Sequence, residues 1–142
     1  MSKVSSILNR KGAAVVTVAP DMPVLTALQL MADKNIGSVM VAENGQYLGI
    51  MTERDYARKV VLKGRSSTET QVRDIMSTGF PRITPENSVE TCMHIMSENN
   101  IRYLPVFEND QVAGIISIND VVTETILVQR STIEQLQHYI QS

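Results

Sequence analysis

Apolar residues along this chain change period repeatedly, from about 3.6 residues to two and back, and each change marks an element. Val4 to Leu8 reads as a short helix that closes at Asn9-Arg10-Lys11-Gly12. Ala13 to Val18 is apolar and β-branched and predicts a strand, ended by Pro20 and Pro23. Val24, Leu28, Met31 and Ala32 then recur at helical spacing, with Gln29 and Lys34 on the other side, and Asn35 to Gly37 close that helix. Ser38 to Ala42 and Tyr47 to Met51 are strands around Glu43-Asn44-Gly45-Gln46, whose Asn-Gly pair signals a hairpin. A helix follows from about Glu53 to Leu62 and stops at Lys63-Gly64. Arg65 to Thr70 is a polar linker, and Val72 to Met76 a further helical turn.

The pattern then starts again. Gly79 and Pro81 break the chain, and Ile83-Thr84 is a strand end. Val89, Met93 and Met96 mark a helix face, and Ile101 to Phe107 and Val112 to Ile116 are strands around Glu108-Asn109-Asp110-Gln111. From Asp120 to about Tyr139 a long helical segment carries Val121, Thr125, Val128, Ile133, Leu136 and Ile140 as an apolar stripe, with a break expected near Ser131. Such a tail covers the body or pairs with another subunit.

An ungapped offset of 65 residues superimposes the two passes. It pairs Pro20 with Pro85, Val24 with Val89, Met31 with Met96, Asn35-Ile36 with Asn100-Ile101, Glu43-Asn44 with Glu108-Asn109, and Asp55 with Asp120. Each unit reads strand–helix–strand–strand–helix, an α/β (α+β) arrangement whose core is too small to stand alone. Two units packed through their sheets about a pseudo-twofold axis would bury both faces and leave two equivalent clefts. The expected division is 1–64, a linker at 65–71, and 72–142 with the helical tail, forming one module together.

Each pass ends on one motif. Gly49-Ile50-Met51-Thr52-Glu53-Arg54-Asp55 returns as Gly114-Ile115-Ile116-Ser117-Ile118-Asn119-Asp120: Gly, two apolar residues, a hydroxyl, two variable residues, Asp. Thr52 and Ser117 are good N-caps, and the Asp three places later can reach back as in a capping box. The bland reading is a capped helix. The functional reading is a hydroxyl and free N–H groups that hold phosphate, and a carboxylate that accepts from a ribose diol.

Composition narrows the partners. The net charge of −2 gives no footprint for nucleic acid, and 4% aromatic residues with no Trp give no base-stacking platform. Cys92 is the single cysteine, so no intrachain disulfide forms, and a reducing compartment fits. No apolar run reaches membrane-span length, and Met1-Ser2-Lys3-Val4-Ser5-Ser6 lacks the apolar region of a signal peptide, so the expected location is cytoplasmic. Cys92 and His94 point to different faces of one helix and His138 lies in the tail, so no metal site is expected. Cys92 aligns with Ala27 as a small core residue, the methionines of the helix faces read as core packing, and no Walker-type or dinucleotide Gly-rich loop is present. No nucleophile or general base accompanies either motif, so the chain is expected not to be an enzyme.

With the repeat, the strand Ile36-Gly37-Ser38-Val39-Met40-Val41, its counterpart Ile101-Arg102-Tyr103-Leu104-Pro105-Val106, and both motif endings, the sequence resembles a tandem pair of CBS domains, or Bateman module, of the small stand-alone type. The resemblance runs from about Lys11 to Val122, and neither end reads as a fused catalytic domain. It implies two β-α-β-β-α units, usually assembled as a homodimer of modules. It also implies an adenosyl ligand: AMP foremost, or ADP, ATP, S-adenosylmethionine or NAD(H), with Mg²⁺ only alongside ATP. The bound ligand would alter an unidentified partner protein.

By the same resemblance Asp55 with Thr52, and Asp120 with Ser117, hold ribose and phosphate. The adenine pocket would come from the opposite repeat: Pro81, Ile83, Arg102 and Tyr103 for Asp55, and Lys11, Val16, Gly37 and Ser38 for Asp120. Arg54, Arg58 and Arg102 then offer bidentate phosphate contacts in the first cleft, where the second has no arginine at the corresponding places, Asn119 and Gly37 among them, and Lys11 as its nearby cation. The Asp55 cleft is thus expected to prefer the more phosphorylated ligand, and the Asp120 cleft to be weaker or empty. The competing readings are a solvated Arg54–Arg58 helix face, a scaffolding module whose clefts bind nothing tightly, and, least supported, a nucleotide-processing enzyme.

Overall fold

A computed structural model describes residues 2–141 and divides them into two compact units. One runs from Val15 to Phe80 and contains Asp55; the other joins the chain up to Ala14 with the chain from Pro81 onward and contains Asp120. Met1 and Ser142, the outer limits of the expected 1–64 and 72–142 division, lie outside the described residues.

The Asp55 unit contains β1 (Thr17–Val18), α2 (Val24–Lys34), β2 (Ser38–Glu43), β3 (Gln46–Thr52), α3 (Glu53–Tyr56), a π-helical segment (Ala57–Val61) and α4 (Val72–Ile75). The Asp120 unit contains α1 (Val4–Lys11), α5 (Val89–Asn99), β4 (Tyr103–Glu108), β5 (Gln111–Ser117) and α6 (Ile118–Gln141).

The repeat holds down to backbone detail. β1 runs parallel to β2, with Thr17 opposite Met40, and β2 runs antiparallel to β3, from Ser38 opposite Thr52 to Glu43 opposite Gln46. β4 and β5 pair in the same way, from Tyr103 opposite Ser117 to Glu108 opposite Gln111. Both ladders shift register at one repeat position, between Val41 and Ala42 and between Val106 and Phe107. Both turns have positive φ at their two central residues, Asn44 and Gly45 at 53° and 76°, Asn109 and Asp110 at 53° and 62°, as a two-residue hairpin of this hand requires. Asn35 and Asn100 close α2 and α5 in the left-handed region.

Three expectations are corrected. The strand foreseen over Ala13–Val18 is only Thr17–Val18; Ala13 and Ala14 are exposed, and Val16 contributes its carbonyl to Met40 N–H at 3.0 Å. In the second repeat the same strand shrinks to Ile83, bridged parallel to Val106. The helix foreseen over Glu53–Leu62 is α-helical only to Tyr56 and then widens, Leu62 N–H reaching Ala57 O at 3.0 Å. The break expected near Ser131 is one of the apolar stripe, and the helix itself continues through that residue. α6 runs 24 residues without Gly or Pro, and Thr132 Oγ1 bonds back to Val128 O at 3.0 Å.

The stripe read along that tail also splits. Val121 is fully buried and Thr125 half-buried against the body, whereas Val128, Ile133, Leu136 and Ile140 are exposed.

The cores explain why the compact units do not follow the repeat boundaries. In the Asp55 unit, Val72 and Ile75 of α4 close the cluster of Val24, Ala27, Met31, Val39, Val41 and Met51. In the Asp120 unit, Val4, Ile7 and Leu8 of α1 fill the same role against Val89, Cys92, Met96, Leu104, Val106 and Ile116. A segment that supplies buried aliphatics belongs to the core it completes. Residues 65–80 therefore stay with the first repeat, and the chain up to Ala14 joins the second.

Candidate functional site

Both motifs end a strand and start a helix. Thr52 has extended backbone (φ −117°, ψ 164°), and its Oγ1 accepts from Asp55 N–H at 3.0 Å, while Asp55 Oδ2 accepts from Thr52 N–H at 3.0 Å and from Thr52 Oγ1–H at 3.1 Å. Ser117 repeats the exchange: its Oγ accepts from Asp120 N–H at 3.1 Å and its N–H donates to Asp120 Oδ2 at 2.8 Å. Each is a reciprocal capping box.

The other carboxylate oxygens differ. Asp55 Oδ1 accepts from Ser77 Oγ–H at 2.8 Å and pairs with Lys59 Nζ at 3.0 Å. Lys59 also donates to Ile75 O at 2.9 Å and to Ser77 Oγ at 3.3 Å. Both oxygens of Asp55 are engaged, and its side chain is 8% exposed. Asp120 holds Lys11 Nζ on Oδ2 at 2.8 Å, and its Oδ1 has no hydrogen bond among the described residues; its side chain is 19% exposed. Lys11 also donates to Ile115 O at 2.8 Å, which fixes the ammonium at the end of β5.

Repeat-equivalent positions explain the difference. The residue matching Lys59 is Glu124, buried on α6, where it accepts from Arg10 at 3.3 and 3.4 Å and from Ser2 Oγ–H at 3.1 Å. The cation beside each Asp therefore comes from one helical turn along in the first repeat, and from α1 in the second. Sequence reasoning missed Lys59, although its i,i+4 spacing from Asp55 is the signal that finds it. Ser77 carried no local signal, because it reaches Asp55 through the bridge Ile50–Ser77.

The motif glycines answer to packing. A Cβ on Gly49 would stand 2.7 Å from Ser77 O, and one on Gly114 would stand 2.7 Å from Leu8 Cδ2. Keeping Gly together with Asp is therefore explained without a ligand.

The remaining expected residues fall as follows. Gly37 and Ser38, expected opposite Asp120, adjoin Thr52 within their own unit: Gly37 O accepts from Glu53 N–H at 3.1 Å, and Ser38 pairs with Thr52. Arg102 and Tyr103, expected opposite Asp55, adjoin Ser117 likewise, Arg102 O accepting from Ile118 N–H at 2.8 Å. Pro81 and Ile83 flank Arg82, whose guanidinium lies 4.2 Å from the Phe107 ring centroid. Arg54 and Arg58 are exposed, as is Arg102, and Val16 is half-buried.

No group of three His, Cys, Asp or Glu able to hold a metal occurs among the described residues, and no helix among them is long and apolar enough to cross a membrane. His94 pairs with Glu98 at 3.1 Å. Cys92 is fully buried, and burial pushes its thiol up from 9.0 to about 11, opposite to the shift a nucleophile needs.

Known proteins share this architecture. A family model described as CBS domain matches residues 4–62 and 72–126. A protein with CBS domains from Burkholderia ambifaria is 41% identical, with a TM-score of 0.86 over 89% of this chain and 95% of that one. The mitochondrial CBS domain-containing protein CBSX3 of Arabidopsis thaliana is 35% identical, matching 97% of this chain and 71% of its own length. A CBS domain pair solved in complex with 5′-methylthioadenosine and S-adenosyl-L-methionine shares the fold at 20% identity, with a TM-score of 0.77 over 88% of this chain and 96% of that one.

Proposed function

Since the chain belongs to the CBS domain family, as a tandem pair matched over residues 4–62 and 72–126, we propose that it is a non-enzymatic regulatory module that binds an adenosyl ligand and passes its occupancy to a partner protein. The observation that carries this reading is the Asp120 junction. A half-buried carboxylate stands at the start of a long helix with Oδ1 unbonded among the described residues. A ribose diol brings two O–H donors, and a carboxylate accepts them without a change of protonation. Ser117 Oγ has its own proton to give, since it only accepts in the capping box. The family neighbour with two adenosyl ligands supports the ligand class. AMP is the first candidate, before ADP, ATP, S-adenosylmethionine and NAD(H), and Mg²⁺ enters only with ATP.

This reverses the order of sites expected from counting arginines. A diol at Asp55 must first displace Ser77 or Lys59 from Oδ1, and the displaced donor then loses its carboxylate partner. At Asp55 the scaffolding reading therefore has an observation of its own: the carboxylate already ties α3 to residues 75–77. Arg54 and Arg58 remain candidates for a phosphate only if that tie opens.

Signalling needs a contact that the ligand alters, because a ligand shifts an equilibrium only through differential affinity. Lys11 is that contact, joining α1 to Asp120. The module is further proposed to work as a homodimer and to act on a separate protein. Calorimetric titration of AMP, ADP, ATP, S-adenosylmethionine and NADH into wild type, Asp55→Ala and Asp120→Ala tests the proposal. One adenosyl ligand should bind at about micromolar strength, and Asp120→Ala should weaken it about tenfold or more, roughly 1.4 kcal/mol. Asp55→Ala should chiefly lower the melting temperature. If no ligand binds and both changes only lower melting, both motifs are helix caps and the sensor reading fails.

A further inference from the structure

We propose that α6 pairs in parallel and in register with α6 of a second copy of this chain, along the seam Val122, Ile126, Gln129, Ile133, Leu136 and Ile140. This deepens the homodimer part of the proposed function by assigning it a surface, and it does not depend on which ligand binds.

The seam follows from helix geometry. At about 100° per residue these six positions fall within roughly 80° of the helix circumference, a quarter turn from the face that Val121 and Thr125 set against the body. Their spacing alternates four and three, which is a heptad pattern with isoleucine at each a position (126, 133, 140) and Val122, Gln129 and Leu136 at d. Val122, Ile126, Ile133, Leu136 and Ile140 are 47, 43, 53, 57 and 80% exposed. The seam extends about 27 Å at 1.5 Å per residue. A free helix of that length is marginal in water. Here the first turns are held in place by buried Val121 and by Glu124, which Arg10 and Ser2 engage, so the nucleation cost of the helix is already met.

Two polar residues choose the occupant and its direction. Gln129 sits in the middle of the apolar seam and must find a hydrogen-bond partner once covered. An apolar partner helix leaves it unsatisfied. A second α6 in parallel register brings its own Gln129 to the same level, where two amides can exchange hydrogen bonds, as a single polar core residue does when it sets register. An antiparallel pair instead places Gln129 against Ile133 and brings the two Arg130 side chains, at e positions, near one another on one edge; the parallel pair holds them on opposite edges. β-branched residues at a also favour the two-stranded parallel form.

The test uses the full chain. Sedimentation across a dilution series should show wild type as a concentration-dependent dimer. Ile126→Glu with Ile133→Glu should shift it to monomer with unchanged circular dichroism and melting of the body, because both residues are exposed. In a Cys92→Ala background, Gln129→Cys should oxidise to a disulfide-linked dimer, while Ser131→Cys, on the opposite side of the helix, should not. Wild type that stays monomeric overturns the proposal and the homodimer reading with it. A dimer indifferent to the two glutamates overturns the proposal alone, since the copies then meet elsewhere. Cross-linking from Gln129→Cys that is no better than from Ser131→Cys overturns the parallel register.

Discussion

Asp55 and Asp120 hold the same place in two copies of one motif, and what differs between them is the source of the neighbouring cation. Lys59 lies four residues after Asp55, so its pairing is local; Lys11 arrives at Asp120 from the start of the chain. The glycines that open the motifs show the same contrast. Gly49 faces backbone, Ser77 O, which is itself fixed by the bonds between Ile50 and Ser77 at 2.9 and 3.0 Å. Gly114 faces the end of the Leu8 side chain, which can swing aside. Gly49→Ala should therefore cost about 1–3 kcal/mol by overpacking, and Gly114→Ala clearly less. Denaturant midpoints of the two variants check this, and equal losses would show that Leu8 is as immovable as the backbone. The hydroxyl–x–x–Asp caps were legible because a capping box is written within four residues. The contacts of Ser77, and the reason for both glycines, were not, because they join residues far apart in sequence.

Among the elements, the hairpins and helix ends were legible for the same local reason. Asn-Gly and Asn-Asp turns and the Asn35 and Asn100 closures declare themselves in a few residues. The π-helical widening at Ala57–Val61 was not, since no Gly or Pro there announces it; within it Val60 is fully buried and Lys59 reaches Ile75 O. Along α5, Cys92 stands where α2 has Ala27, and both are fully buried. Burial lifts the thiol from 9.0 to about 11. Below pH 9 both the folded and unfolded chains keep the proton; between 9 and 11 the unfolded chain releases it first, so stability falls as pH rises through that window. Cys92→Ala should flatten that part of the stability–pH curve relative to wild type, measured by denaturant melts at matched ionic strength. Parallel curves for the two proteins would mean that the folded thiol ionises as readily as the free one. Ala27 shows that a methyl fits the equivalent site, so the substitution probes the charge more than the packing.

At the scale of the whole molecule, the repeat is in the sequence but the compact units are not, because membership of a core is decided by what fills it. An offset of 65 residues divides the chain by similarity, whereas α4 and α1 divide it by burial. By that offset α4 falls on residues 7–10, inside α1, and each of these helices completes the core of the repeat it does not precede: Val72 and Ile75 in one unit, Val4, Ile7 and Leu8 in the other. The Asp120 unit is therefore built from two distant stretches of chain, and its stability depends on the first of them being in place. Ile7 is fully buried, and Ile7→Ala removes apolar volume that the strands beneath cannot close over. The expected cost is about 2–5 kcal/mol. Native-state hydrogen exchange should show that cost as lost protection along β4, β5, α5 and the first turns of α6, with β2 and β3 keeping theirs. Protection lost equally from β2 and β3 would mean that the two units open as one, and a ligand signal carried by Lys11 would then reach both repeats rather than the one it is bonded to.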